Sequence, residues 1–334
     1  MTEKKIRIIH YGLGPIGIET AKLVLRKTRM EIVGAVDIAP DKAGRDLGEI
    51  LGLPERLNIP VSGDAKDLFR RVGADVVIHT ASSRIRDIAP QLIEMVEAGL
   101  HVVSSSEELL FPMSENSKLL KDVHDLAVKR KVSVLGTGVN PGFVMDALPL
   151  FLTGVCEEVE SLRIERVVDA ASRRYPLQKK IGAGMTEEEF RDKTSRKLMG
   201  HVGLVESLNL VAHHLGIPLD DVVETIDPVL AEKPVITAYF DLKKGDVAGI
   251  HHVARGIYKG EMPLLLVLDM YVGAPDPHDS IVIRGTPNIQ MRIDGGVAGD
   301  QATAAVLVNT VPAVIAAKPG IVTVKDLPSP HFVR

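Results

Sequence analysis

The segment Gly12-Leu13-Gly14-Pro15-Ile16-Gly17 follows a β-branched run, Ile6 to Tyr11, and leads into a stretch with helical spacing. Glycines so placed between a strand and a helix form the turn that cradles a dinucleotide. Gly12 permits the tight turn, Gly14 lets the pyrophosphate approach the backbone, and Gly17 lets helix and strand pack closely. Pro15 and Ile16 open the helix, whose first N–H groups and partial positive charge face the phosphates. Asp37 ends the next strand, a little beyond the usual spacing of about 20 residues, where an acid accepts hydrogen bonds from the adenosine ribose. Its charge would repel a 2′-phosphate, so NAD is expected to serve at least as well as NADP. Arg45 is close enough in sequence to answer such a phosphate, which keeps dual use open; a solvated charge at a helix start is its plainer reading. An empty scaffold of the same shape is the alternative for the whole motif.

Ligands of open α/β sheets sit beyond the carboxyl ends of the strands. Three further strand ends are polar: Thr80-Ala81-Ser82-Ser83, Ser104-Ser105-Ser106-Glu107-Glu108, and Gly136-Thr137-Gly138-Val139-Asn140-Pro141-Gly142. Thr80, Ala81 and Ser82 are therefore placed against the cofactor, and Asn140 and Pro141 beside its nicotinamide. Beside that ring, Glu107 or Glu108 could move protons or hold an ammonium, although an acid pair after a strand is often only a helix start. Arg166, near the end of a long strand, is a candidate for the same pocket; a strand-face arginine is more often a surface charge or an ion pair. Arg173, Arg174, Lys179 and Lys180 form a basic run that could attract a substrate carboxylate, or be a charged loop. No metal is expected. His251 and His252 are adjacent in an extended segment and point to opposite faces. His213 and His214 lack the i,i+4 spacing of a zinc helix. Cys156 reads as a buried packing residue.

The elements that must hold these residues are legible in the periodicity. Ile6–Tyr11, Ile32–Val36, Asp75–His79, His101–Ser104 and Val132–Leu135 read as strands, alternating with segments of helical spacing such as Ile18, Ala21 and Leu25. Continuous apolar strands separated by helices imply a parallel sheet covered on both faces. Residues 1–150 thus read as an α/β, doubly wound Rossmann domain for the dinucleotide. After Pro149 the texture changes: a strand at Val159–Val168, an irregular basic stretch at Ala171–Ala183, a mostly helical Thr186–Gly216 with a capping box at Thr186 and Glu189, then strands at Val235–Leu242, Pro263–Val272, Ile281–Arg284 and Ile289–Ile293. Residues 151–299 read as a second α+β domain with a mostly antiparallel sheet. A helix over Asp300–Ala317 and a strand from Gly320 return to the first domain.

With 334 residues, 45% hydrophobic and 25% charged, the chain is globular, and its length suits two domains. A formal charge of −4 and 4% aromatics without tryptophan argue against a nucleic-acid partner. The longest uncharged stretch, Gln301 to Ala317, is too polar for a membrane span, and one cysteine suits a reducing cytoplasm.

Gly-Thr-Gly-Val-Asn-Pro-Gly-Phe (136–143), Ser-Glu-Glu-Leu (106–109), the stretch 173–184, Gly-His-Val-Gly-Leu (200–204) and Gly-Asp-Gln-Ala-Thr (299–303) resemble the 2,4-diaminopentanoate dehydrogenases and native NAD(P)-dependent amine dehydrogenases. These are relatives of dihydrodipicolinate reductase, and the resemblance spans almost the whole chain. It implies a substrate domain that also forms a homodimer, and interconversion of an amine with a ketone plus ammonia. It places the catalytic carboxylate on Glu107, with Glu108 the second candidate, and raises His201 from a packing residue to a pocket residue. The His-His-x-x-Lys and Asp-x-Pro-Ser-Gly pattern of dihydrodipicolinate reductase is absent from residues 173–180. Reduction of a cyclic imine therefore ranks second, and a dinucleotide sensor without turnover third.

Overall fold

A computed structural model describes residues 4–112, 117–196 and 198–334. In chain order the first elements are β1 (Ile6–Tyr11), α1 (Pro15–Leu25), β2 (Met30–Val36), α2 (Leu47–Ile50), β3 (Val61–Ser62), α3 (Ala65–Arg71), β4 (Val76–His79), α4 (Ile85–Glu97), β5 (His101–Ser104), α5 (Ser117–Arg130) and β6 (Ser133–Gly136). There follow α6 (Ala147–Leu152), β7 (Glu158–Asp169), α7 (Tyr175–Lys180), α8 (Glu187–Ser195), α9 (Leu204–Leu215), β8 (Asp221–Leu230), β9 (Val235–Ile236), β10 (Asp241–Leu242), β11 (Val247–Tyr258), β12 (Glu261–Tyr271), β13 (His278–Thr286) and β14 (Ile289–Asp294). The chain closes with α10 (Gly299–Ala316) and β15 (Gly320–Val322). It divides into two compact units, one of residues up to Phe143 plus Ala298–Arg334 and one of Val144–Val297.

The first unit is a seven-stranded sheet in the order β15-β6-β5-β4-β1-β2-β3, its strands pairing in parallel among the described residues. Its strands are nearly continuous apolar runs because both faces are covered. Val76 to Ile78, Val102 and Val134 are wholly buried, and Ile85, Ile88, Leu92 and Met95 of α4 pack on one face. The order reverses at β1, which lies between β2 and β4, so the chain leaves β1 at the topological switch point. The end of the chain joins this sheet: Gly320 to Val322 of β15 pair in parallel with Ser133 to Leu135.

The second unit is built on a six-stranded sheet, β14-β13-β7-β12-β11-β8, antiparallel throughout except for the β7–β12 pair. One of its strands, β8, escapes the periodicity reading, and of another, β11, only the extended segment at His251 and His252 is legible. In β8, Asp221, Glu224, Asp227 and Pro228 imitate a turn; the strand lies at the sheet edge, where charge and proline are tolerated. In β11 two glycines interrupt the β-branched pattern, yet Gly249 and Gly256 pair in register with Tyr271 and Leu264 of β12. Val235–Leu242 is a small hairpin of β9 and β10 rather than one strand. The basic stretch contains α7, opened by Pro176. The capping box of α8 forms as expected, with both Thr186 and Glu189 side chains bonded. The mostly helical stretch Thr186–Gly216 holds α8 and α9; Lys197 within it lies outside the described residues. No helix among the described residues is long and apolar enough to cross a membrane.

Candidate functional site

All candidates of the first unit follow the carboxyl ends of parallel strands: Gly12 after β1, Asp37 after β2, Thr80 after β4, Ser106 and Glu107 after β5, and Asn140 after β6. The glycine turn has the geometry its sequence requires. Gly12 has φ +91°, and a Cβ there would lie 2.8 Å from the Thr80 carbonyl oxygen. A Cβ on Gly17 would lie 2.0 Å from the Gly12 oxygen, whereas one on Gly14 would meet nothing within 4 Å. Two glycines are therefore fixed by packing, and the third faces open space at the N-terminus of α1. Pro15 opens that helix, so the Ile16 and Gly17 amides precede the first intrahelical bond, from Ile18 N–H to Gly14. Thr80 clamps the turn, its hydroxyl donating to the Gly12 carbonyl at 2.7 Å. Ala81 is exposed, and the Ser82 hydroxyl donates to Asp87 in the first turn of α4.

Asp37 is tied to the same turn. Its Oδ2 accepts the Leu13 N–H at 2.7 Å and the Lys42 ammonium at 3.1 Å, and Oδ1 accepts the Ala39 N–H at 2.9 Å. Burial alone would raise this carboxyl; the Ala39 and Leu13 amides and Lys42 together outweigh it and hold the group below the usual carboxylate range. The argument for NAD from a bare aspartate charge is thus offset by a lysine that the sequence reading did not single out. Arg45 is exposed, donating to the Asp41 carbonyl and lying 3.7 Å from Glu49.

The two glutamates after β5 part company. Glu108 is 8% exposed; one oxygen accepts the Ile85 N–H at 2.7 Å and the other pairs with Arg84 at 3.1 Å. It caps the N-terminus of α4, satisfying an orphan amide and complementing the helix dipole. Glu107 opens the short 3₁₀ turn Glu107–Leu109 and is half-buried. A buried hydrogen-bond chain leads up to that turn. Gln91 bonds His79 Nε2 at 2.8 Å, His79 Nδ1 bonds Ser104 Oγ at 2.9 Å, and Ser104 Oγ accepts the Ser106 N–H at 3.1 Å. His79 is wholly buried, and burial pushes its pKa down to about 4, so the ring is neutral. One tautomer satisfies every group: Nε2–H donates to Gln91, and Nδ1 accepts from Ser104. The signal available in the sequence was a histidine closing an apolar strand, which reads as core.

After β6, Gly136 lets the Leu109 backbone lie against the strand, since a Cβ would stand 2.5 Å from the Leu109 carbonyl carbon. The loop that follows buries Asn140 Nδ2 and Oδ1 and Thr137 Oγ1 without hydrogen-bond partners. Burying amide and hydroxyl groups unpaired is costly, so these atoms call for a polar ligand group. Together with the open face of Gly14, they fit a bound dinucleotide.

The remaining candidates lie in the second unit. Arg166 is 3% exposed and paired with Asp279, itself 2% exposed, at 2.7 Å. Its other terminal nitrogen donates to the Val297 carbonyl, and Asp279 accepts the Val297 N–H at 2.7 Å. A buried arginine so engaged braces the end of this unit rather than presenting a free charge. His201 lies outside any helix: α8 ends at Ser195, and α9 begins at Leu204 after Gly203, its N-cap at φ +106°. Of the basic run, Arg173 and Arg174 are half-buried, while Lys179 and Lys180 are exposed. His251 and His252 bond to Asp269 and Glu224 respectively. Cys156 is partly exposed, its thiol directed at the Pro287 carbonyl, rather than buried in a core.

Comparison with known proteins bears on this arrangement. The family model described as 2,4-diaminopentanoate dehydrogenase C-terminal domain matches residues 143–334. The chain is 33% identical to a 2,4-diaminopentanoate dehydrogenase from Acetoanaerobium sticklandii, over 99% of this chain and 95% of that one. It is 24% identical to an amine dehydrogenase from Streptomyces virginiae, over 97% and 96%. The solved structure of an amine dehydrogenase from Mycobacterium smegmatis superposes with a TM-score of 0.87 at 27% identity, covering 99% of this chain and 98% of that one.

Proposed function

The chain belongs to the 2,4-diaminopentanoate dehydrogenase family and is an oxidoreductase of the CH–NH2 group dependent on a nicotinamide dinucleotide, and on that premise we propose the roles of its residues and the class of its substrate. Reduction of a cyclic imine is not favoured, because the relatives matched over nearly the whole chain carry amine and diaminopentanoate dehydrogenase names.

The observation that carries the assignment is the contrast between the two glutamates. Glu108 is 8% exposed and caps α4, whereas Glu107 is the more exposed of the two, half-buried on the turn at the carboxyl edge of the sheet. Glu107 is the group that handles the substrate nitrogen. It accepts hydrogen bonds from the ammonium, takes its proton, and counters positive charge on nitrogen as the carbon–nitrogen bond gains double-bond character. In the opposite direction the same carboxylate orients ammonia towards the ketone. The dinucleotide, when bound, supplies or accepts the hydride. Gly12, Gly14 and Gly17, with the first amides of α1, hold its pyrophosphate; Asn140, bordered by Pro141, offers its amide to the nicotinamide. Thr80 keeps the glycine turn in shape. Homodimerisation through the second unit belongs to the same proposal.

We assign the substrate to the diamino acids rather than the simple amines. The support is the higher identity to the diaminopentanoate enzyme, 33% against 24%. The test compares kcat/KM for a 2,4-diamino acid and its decarboxylated analogue, in wild type and Glu107→Gln. The expected result is a preference for the acid, and a fall in turnover of about 10²-fold or more in the variant with dinucleotide binding intact. Equal values for the two substrates would return the protein to the simple-amine branch. An active Glu107→Gln enzyme would remove the carboxylate assignment.

A further inference from the structure

We propose that Lys42, and not Arg45, is the residue that admits the 2′-phosphate of NADP(H), by moving between the Asp37 carboxylate and that phosphate. The inference rests on the dinucleotide reading of the glycine turn and extends it to the adenosine end. An acid at the end of β2 ordinarily takes the ribose hydroxyls and repels a phosphate. Asp37 stands in that place, but three donors already occupy it: the Leu13 and Ala39 amides and the Lys42 ammonium. A carboxylate offers about four acceptor positions, which leaves room for one ribose hydroxyl. The ammonium at 3.1 Å offsets the carboxylate charge towards any approaching anion.

Lys42 suits the second half of the exchange. Its side chain is 23% exposed, against 10% for Asp37, so it lies on the open side of the pair. An ammonium has three N–H donors, and its bond to Asp37 uses one. With NAD the lysine stays on Asp37, and the remaining acceptor position takes a ribose hydroxyl. With NADP the ammonium turns to the phosphate, while the Leu13 and Ala39 amides hold Asp37 in place. Arg45 is committed elsewhere: its side chain is 53% exposed and spans the Asp41 carbonyl and Glu49 in α2.

The test is calorimetric titration of the whole chain with 5′-AMP and adenosine 2′,5′-bisphosphate, two fragments that differ only in the 2′-phosphate. Wild type is expected to bind the bisphosphate at least as tightly as 5′-AMP. Lys42→Met should weaken the bisphosphate ten-fold or more while changing 5′-AMP less than three-fold. Lys42→Arg should restore most of the loss, and Arg45→Ala should leave the ratio of the two affinities unchanged. A wild type that binds 5′-AMP but rejects the bisphosphate overturns the proposal, as does an unchanged ratio in Lys42→Met or a loss carried by Arg45→Ala. Failure of wild type to bind either fragment overturns the dinucleotide reading itself, and Lys42 with it.

Discussion

Replacing His10 by leucine should make the first unit less sensitive to acid. His10 lies on β1, fully buried, and neither ring nitrogen meets a hydrogen-bond partner in good geometry. Burial, and secondly the neighbouring His79, push its pKa from 6.5 down to about 4, with the Gly12 backbone only partly opposing. The folded-state value lies below the unfolded one, so the unfolded chain takes the proton first. Stability from the neutral ring is therefore complete above pH 6.5 and drains away as the pH falls towards 4. At ~1.4 kcal/mol per tenfold, the full effect is about 3 kcal/mol, and the part lost between pH 7 and pH 5 is about 2 kcal/mol. Leucine removes both orphaned nitrogens at similar volume, so the variant should be at least as stable at pH 7. The assay is the opening free energy of β1 amides by hydrogen exchange, which isolates the first unit from the second. Between pH 7 and pH 5 the wild type should lose about 2 kcal/mol more than His10→Leu. Equal losses in the two proteins would refute the buried neutral histidine.

Two further outcomes follow from the site geometry. Glu108→Ala uncaps α4 and strands Arg84, and should cost ~2 kcal/mol of stability, read by denaturant unfolding; a variant as stable as wild type but unable to turn over amine would exchange the roles of the two glutamates. Arg166→Met leaves Asp279 buried without its cation and should destabilise the second unit by ~3–5 kcal/mol, while Arg166→Met with Asp279→Leu recovers most of it; a mild effect of the single change would contradict the ion pair.

The parallel sheet was legible because burial on both faces writes itself as runs such as Val76-Val77-Ile78, and the glycine turn because Gly12 and Gly17 have no sterically tolerable substitute. The capping box at Thr186 and Glu189 was equally local. β8 was not legible, because an edge strand tolerates Asp227 and Pro228 and these look like a turn until the partner strand is in place. Spacing does not tell Glu107 from Glu108: that Glu108 meets the Ile85 amide and Arg84, residues 23 and 24 positions away, is set by the tertiary structure. Nothing in the sequence singled out Lys42, which meets Asp37, or His79, which bonds Ser104 and Gln91. An ion pair was one of the readings open for Arg166, but its partner was not legible: β13 brings Asp279 beside it, 113 residues along the chain. Local periodicity and steric limits are properties of neighbouring residues, so the sequence carries them outright. Which charge is neutralised, and by what, depends on residues distant in the chain, and only the tertiary structure decides it.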